Sequence, residues 1–194
     1  MTDRDARDRL TAYLERLASI TGVQPSIHHL LPIDRRSGDV LALAYMGVPG
    51  RGYVTGLTYG LSGSVDPDRA LGGRELSITI RSKDIEWAMI PARMVASLRG
   101  KHPFNRGQAL GYAGRFTEDS MMSSILLAEP AMKNLSKPID LALNGRKSNG
   151  SDLVEILGVY PIYSSERDFV YASGFDAFWS LEWDRFDPSR PPAI

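Results

Sequence analysis

The residues of this chain that could do metal or acid–base chemistry are few, and their spacing favours structural roles. Three histidines are present, His28, His29 and His102. A metal site requires histidines at helical i, i+4 spacing or histidines that converge with carboxylates. His28 and His29 are adjacent, so their side chains point in different directions. We expect no metal site, and we expect His102, in the KHPF segment, to cap carbonyls or to pack near Phe104.

The serine and glycine motifs lack the context that catalysis requires. Ser62 lies in the segment GLSGS, where glycine follows the serine directly, so the spacing differs from that of the G-x-S-x-G nucleophile elbow. The segment GVPGRG at residues 47–52 is flanked by two strand-like runs, whereas a phosphate-binding loop joins a strand to a helix. We therefore interpret residues 47–52 as a hairpin turn.

Two carboxylate pairs, Glu118 with Asp119 and Asp66 with Asp68, lie in polar, turn-like sequence. General acid–base catalysis requires one carboxyl group in a dry environment that raises its pKa. The polar surroundings of both pairs favour solvated loops instead. If the chain were an enzyme, its only candidate catalytic residues would be Ser62, Asp66, His102 and Glu118.

The composition is that of a globular protein without nucleic-acid or membrane character. The 194 residues are within the usual range for one domain, with 43% hydrophobic and 24% charged residues. No cysteine is present, which excludes disulfides and thiolate metal sites and fits a reducing cytoplasm. We expect no signal peptide, because the N-terminus MTDRDARDRL is charged from the start and has no apolar segment. We expect no membrane span, because no apolar run approaches roughly 18 residues. The 23 basic residues balance the 23 acidic ones, which disfavours nucleic-acid binding.

Hydrophobic periodicity predicts helices at both ends of the chain and one in the centre. Near the N-terminus, apolar residues recur at three- and four-residue spacing, and Gly22 suits the end of that helix. A central helix over residues 84–99 contains Pro91, which either kinks it or lies near the start of a shorter helix. A C-terminal helix capped by Ser165 closes at Gly174, and a last short helix follows. The N-terminal apolar stripe consists of Leu10, Tyr13, Leu14, Leu17 and Ala18.

The sequence pattern in the middle of the chain predicts several strands in succession, rather than strands that alternate with helices. Leu76, Ile78 and Ile80 alternate with polar residues, which indicates a half-buried strand. The pattern as a whole predicts an α+β fold with a largely antiparallel, mixed sheet flanked by helices. Further strands are predicted over residues 40–46, 53–61, 122–127, 139–143 and 153–163. The predicted core contains Leu57, Ile78, Ile80, Trp87, Leu126, Ile156 and Val159.

An ordered set of segments resembles the suppressor-of-fused domain family in its bacterial single-domain form. The likeness covers roughly residues 27–184. Its segments are VTGLTYGLS (54–62), ELSITIRS (75–82), a Trp87-bearing helix, LRGKHPF (98–104), QALGYAGRF (108–116), TEDSMMSSILLAEP (117–130) and LGVYPIYSSERDF (157–169). The chain departs from the family pattern at Pro91 and offers nothing like the additional C-terminal domain of the animal members. We therefore predict a single domain over residues 1–194, with a frayed tail at 187–194.

The resemblance implies a protein-binding domain that performs no reaction and uses no cofactor. Animal members bind a short extended peptide, and bacterial single-domain members look like immunity proteins that bind and neutralise toxins of polymorphic toxin systems. The expected partner is therefore a toxin domain or an extended peptide. In this sequence the family's partner site maps to Thr58, Tyr59, Ser62, Asp66 and Asp68.

Two alternatives to an immunity protein remain open. One is a peptide-binding scaffold or regulatory adaptor unrelated to toxins. The other is an enzyme of unknown type, whose four candidate residues would have to converge in one pocket. For the partner site, Tyr59 could instead be a core tyrosine, and Asp66 and Asp68 could merely shape a turn. The oligomeric state and the sheet edge or face that contacts the partner are not indicated by the sequence.

Overall fold

The computed structural model describes residues 3–33, 38–62, 73–112, 114–143 and 152–194. In this part of the chain the helices are α1 (Asp3–Thr21), α2 (Glu86–Leu98), α3 (Ser164–Ser173) and α4 (Phe175–Trp179), with a short 3₁₀ helix at Lys133–Leu135. The strands are β1 (Ser26–Leu30), β2 (Val40–Met46), β3 (Val54–Tyr59), β4 (Gly73–Ile80), β5 (Ala109–Gly111), β6 (Ser124–Ala128), β7 (Ile139–Asp140) and β8 (Leu153–Ile162).

All eight strands belong to one mixed sheet. Its order is β1-β2-β3-β4-β8-β6-β5, and β7 pairs with β8 beside this path. Every pairing is antiparallel except that of β4 with β8, in which Leu76 lies opposite Leu157. The predicted α+β fold with a largely antiparallel, mixed sheet is therefore confirmed.

The first helix forms where the apolar stripe predicts it. Tyr13 and Leu17 are fully buried against one face of the sheet. Gly22 ends the helix with a positive φ of 76°, and its N–H donates to the carbonyl of Ala18 (2.9 Å). A residue with a side chain is rarely found in this left-handed conformation, so glycine suits the position. In the centre of the chain, α2 continues past Pro91.

The sheet has a core on each face. The α2-side core contains Trp87, Ile90 and Met94 of α2 together with Ile78 and Ile80 of β4. The α1-side core packs helix α1 against β2, β3, β7 and β8. A third cluster joins α3 and α4 to β6 and β8. All seven predicted core residues are buried, with at most 3% of each exposed.

The predicted half-buried character of β4 is wrong, because both of its faces are covered. Ser77 and Thr79, on the face expected to meet solvent, are 3% and 6% exposed. The Thr79 hydroxyl lies 3.0 Å from that of Thr55, and the Ser77 hydroxyl donates to the carbonyl of Leu157 (3.3 Å). Short hydroxyl side chains can be buried at low cost when they are hydrogen-bonded. Their alternation with apolar residues therefore does not report solvent exposure here.

The predicted cap of α3 is also wrong. The N-cap residue is Tyr163, and Ser165 lies inside the helix. The Glu166 carboxylate accepts a hydrogen bond from the Tyr163 N–H (2.8 Å), which satisfies a donor at the helix start. Gly174 ends the helix as predicted, with a φ of 89°.

Residues 187–194, expected to be frayed, are bound to α3. Arg190 is 4% exposed and makes two hydrogen bonds, of 2.6 and 2.7 Å, to the fully buried carboxylate of Glu166. The Ala193 N–H donates to the same carboxylate (2.8 Å), and the Tyr163 hydroxyl donates to the Arg190 carbonyl. The Trp183 ring centroid lies 4.5 Å from the Arg190 guanidinium carbon. The prolines of this segment predict a frayed tail, but the buried ion pair between Arg190 and Glu166 holds the tail against α3.

The sequence pattern does not predict β1 or β5, which form the two ends of the sheet. β5 has three residues, too few for a periodic signal, and β1 reads SIHHL with two adjacent histidines. The predicted strand over 139–143 shortens to β7, whose two residues pair with Val154 and Leu153. None of the helices in the described part of the chain combines the length and apolar character needed to cross a membrane.

We predict that Ile80→Ala lowers the free energy of unfolding by about 2–5 kcal/mol, because it opens a cavity in the α2-side core. The measurement is denaturant unfolding followed by circular dichroism. Ile194→Ala makes the same chemical change at a residue that is 51% exposed, and it should change stability by less than about 0.5 kcal/mol. Equal effects of the two substitutions would contradict the assignment of this strand face.

We predict that Arg190→Ala costs about 3–5 kcal/mol, because Glu166 is left as a buried, uncompensated carboxylate. Limited proteolysis should then remove the tail from the variant while sparing it in the wild type. Arg81→Ala breaks an exposed pair with Asp184 and should cost far less stability, because solvent screens that pair. The same digestion tests our proposal of one domain over residues 1–194, since two stable halves from the wild-type protein would refute it.

Candidate functional site

A buried carboxylate determines the path of the chain after β3. Glu75 of β4 is fully buried. Its Oε1 accepts hydrogen bonds from three consecutive backbone N–H groups, those of Gly60 (2.9 Å), Leu61 (3.1 Å) and Ser62 (2.9 Å). Hydrogen bonds to an ionised acceptor are stronger than those between neutral groups. We call residues 60–62 the loop root, because the segment 63–72 starts there.

Thr58, one of the predicted partner residues, binds this carboxylate from inside the sheet. Its hydroxyl donates to Oε2 of Glu75 (2.5 Å) and accepts a hydrogen bond from the Leu76 N–H (2.8 Å). The residue is fully buried. Its contribution in the free protein is therefore to position Glu75 and the loop root.

Arg99 binds the loop root from the opposite side. This residue caps the C-terminus of α2 and is 3% exposed. Its guanidinium donates to the carbonyl of Gly60 (2.8 Å) and to that of Gly38 (2.6 Å), which precedes β2. Gly60 has a φ of 119°, and an added Cβ would lie 2.6 Å from the Asp39 carbonyl oxygen. Only glycine fits this position without rearrangement.

Tyr59 is partly buried under α1. Its ring centroid lies 5.7 Å from that of Tyr13. Burial raises the pKa of Tyr59 above its usual value; Arg9 lowers this pKa and Glu75 raises it. Burial also raises the pKa of Tyr13, with a further increase from Glu75. These tyrosines therefore stay neutral, and one face of Tyr59 belongs to the α1-side core.

The two ends of the segment 63–72 lie next to each other. An added Cβ on Gly73 would lie 2.4 Å from the Ser62 Cβ, so the chain leaves and returns at one place. Asp66 and Asp68, the two charged residues of the predicted site, lie outside the described residues. The structure thus describes Thr58, Tyr59 and Ser62 just before the segment 63–72, and the five-residue partner site stays a prediction.

The residues offered for catalysis have other surroundings. The His102 Nε2 lies 3.0 Å from the Gln108 Oε1, and its ring packs edge-on against Phe104 (5.4 Å), which confirms the predicted packing. Glu118 lines a surface cleft of about 770 Å³ whose described lining includes neither Ser62 nor His102. The lining residues of this cleft are Asp84, Glu86, Arg115, Phe116, Thr117, Glu118 and Asp119.

The histidines of β1 have separate neighbours. The His28 Nε2 lies 3.1 Å from the Ser26 hydroxyl, and the His29 Nδ1 lies 3.6 Å from an Asp39 carboxylate oxygen. Across the ranges that the structure describes, no three histidine or acidic side chains are grouped as metal ligands would be.

The sequence does not reveal Glu75 or Arg99 as the residues on which the loop root depends. Glu75 falls at the start of a predicted strand, and Arg99 falls at the end of a predicted helix. The one sequence feature that could have indicated this contact is the strand-to-turn sequence TYGLS, followed by a polar segment and then a glutamate. This combination is too common to identify a contact.

We predict that Glu75→Gln lowers the free energy of unfolding by about 1–3 kcal/mol, because the amide replaces a charged acceptor with a group that carries an extra donor. Hydrogen exchange at the amides of residues 60–62 should accelerate. Glu155→Gln, which removes an exposed carboxylate paired with Arg74, is the matched control and should cost about 0–1 kcal/mol. Unchanged exchange at the loop root would contradict the role of Glu75.

Residues 37–191 of the chain match the family model described as Suppressor of fused protein (SUFU). No curated protein matches the sequence.

Solved structures share the fold at low sequence identity. A protein from Neisseria gonorrhoeae FA 1090 described as a SUFU homologue is similar with a TM-score of 0.67 and 16% identity, covering 97% of this chain and 96% of that one. A chain in the Sufu–Fu complex has a TM-score of 0.62 and 10% identity, covering 95% and 91%. Drosophila Suppressor of Fused has a TM-score of 0.65 and 12% identity, covering 96% of this chain and 51% of that protein.

The present chain thus spans about half the length of the Drosophila protein and nearly all of the Neisseria one. At these identities the structures establish the fold, and the family model supplies the assignment. Because that model matches residues 37–191 of 194, the protein belongs to the suppressor of fused (SUFU) family.

Proposed function

We propose that this chain is a non-catalytic protein-binding domain, and specifically an immunity protein that binds and neutralises a toxin of a bacterial polymorphic toxin system. The observation that carries the proposal is the match of residues 37–191 to the SUFU family model. One structural neighbour is a chain of the Sufu–Fu complex, in which that protein is assembled with another. The Neisseria neighbour, similar over 96% of its own length, supports a bacterial single-domain form.

The geometry of the loop root supports a binding role. The Glu75 carboxylate and the Arg99 guanidinium bind the backbone of residues 60–62 from two sides. A rigid base lowers the entropy that the loop 63–72 loses when it contacts a partner. Binding residues are commonly carried on loops that a stable scaffold positions.

The proposed partner surface combines this loop with the residues at its base. Asp66 and Asp68 supply negative charge that would steer a basic partner, and the outer part of Tyr59 supplies an amphipathic contact. Ser62 lies where the loop starts, and Thr58 acts through Glu75. No cysteine is present in the chain, which supports our proposal of a cytoplasmic location.

A peptide-binding adaptor unrelated to toxins is the second candidate, and the Sufu–Fu neighbour is the observation that favours it. The two candidates differ in what the adjacent gene encodes. A neighbouring reading frame with a variable C-terminal toxin domain favours immunity, and co-expression should then restore growth of a host that the toxin domain arrests. Binding without restored growth favours the adaptor.

We predict that Asp66→Asn combined with Asp68→Asn slows association with the purified toxin domain several-fold at low salt and much less at high salt. Removing rim charges changes the association rate and its salt dependence. The measurement is surface plasmon resonance over a salt series. The pair Asp168→Asn with Asp176→Asn makes the same charge change on α3 and α4 and serves as the control. If both variants match the wild type in rate and in salt dependence, the partner binds elsewhere.

A further inference from the structure

One end of the sheet is an open strand edge. β1 is the terminal strand in the sheet order and pairs only with β2 among the strands of the described residues. The outer N–H and C=O groups of such a strand are able to pair with another chain. Just after β1, the Ile33 N–H donates to the Ala96 carbonyl of α2 (2.9 Å), which determines where the chain leaves this edge.

Exposed aliphatic side chains are concentrated at this edge. Ile27 is 43% exposed, Leu31 74% and Ile33 68%, while Pro32 between the last two is buried. Val23, before the strand, is 45% exposed. We call these four exposed residues the β1 stripe. Single exposed aliphatic residues are ordinary, but four within eleven positions indicate an interaction surface.

The β1 stripe lacks the features that keep strand edges apart. Natural edge strands are protected by charged side chains, by proline on the open side or by a bulge. Residues 26–33 read SIHHLLPI and contain no Lys, Arg, Asp or Glu, although 24% of the chain is charged. Pro32 lies beyond β1 and is buried. β1 itself therefore carries no acidic side chain, lysine or arginine, and the carboxylate nearest to it is that of Asp39, 3.6 Å from His29.

We propose that the β1 stripe is a contact between two copies of this chain, related by a two-fold axis, with the β1 edges side by side. A two-fold axis places each residue of a surface opposite that same surface, so an apolar, neutral stripe is automatically complementary to itself. Antiparallel pairing of β1 with its copy satisfies this symmetry and continues the sheet.

The charge of the molecule favours a second copy over a charged partner. The 23 basic and 23 acidic residues give zero net charge, so two copies approach without long-range repulsion. The partner surface proposed above relies on two aspartates, whereas the β1 stripe offers no charged side chain of its own. A basic partner therefore gains nothing electrostatic at β1, and a neutral apolar surface is the better match.

The test is the oligomeric state of the full chain, measured by sedimentation velocity and by size exclusion with light scattering over roughly 1–100 µM, a range that covers moderate affinities. We expect the wild type to convert from monomer to dimer within this range. Leu31→Glu and Ile27→Glu should each raise the dimer dissociation constant by about 100-fold or more, because the two-fold axis places the new carboxylate in the contact twice.

Met121→Glu is the matched control, since Met121 is 60% exposed but belongs to the segment before β6. It should leave the dimer intact. Circular dichroism melting checks that the variants are folded, which their exposed positions favour. A wild type that stays monomeric at the highest concentration overturns the proposal, as does a dimer that Leu31→Glu does not weaken. A monomeric wild type whose toxin binding is lost in Leu31→Glu would assign the stripe to the toxin instead.

Discussion

The proposed partner surface depends on the hydrogen bonds between the Glu75 carboxylate and the loop root. This carboxylate is fully buried, and an ionised group in that position is tolerated only where hydrogen bonds replace its water. Thr58 and three backbone N–H groups of the loop root supply those bonds. The carboxylate and the loop root therefore stabilise each other. Neither is favourable alone, because the N–H groups would otherwise be buried donors without an acceptor.

Contacts between residues distant in sequence explain why the alternation of apolar residues predicts the strands well but predicts the burial of their faces poorly. The alternation of Leu76, Ile78 and Ile80 identifies β4 and its α2-facing side correctly. It cannot reveal that Ser77 and Thr79 are also buried, because that depends on partners from β3 and β8 that are distant in sequence. Local periodicity reports which residues share a face, whereas burial of that face is a property of the whole fold.

The same limit applies to the tail and to the site. Arg190 lies between Pro188 and Pro191. No local pattern indicates that Glu166, 24 residues earlier, is buried opposite it. Thr58 belongs to a strand that the sequence predicts correctly, yet the structure places its hydroxyl on Glu75 rather than on the surface. Residue types predicted a binding loop at this position, but the contacts that make its base rigid come from β4 and from the end of α2.

The last turn of α2 connects the two surfaces on which the proposals rest. The Ala96 carbonyl accepts the hydrogen bond from Ile33 of the β1 stripe, and three residues later Arg99 binds the loop root and Gly38. Arg99 is the C-cap residue directly after α2, so both contacts are made at the same end of this helix. A displacement of this turn would move the chain at both places. The β1 edge and the loop root are thus positioned by the same packing of α2 on the sheet, and the buried residues of the α2-side core determine the geometry of both.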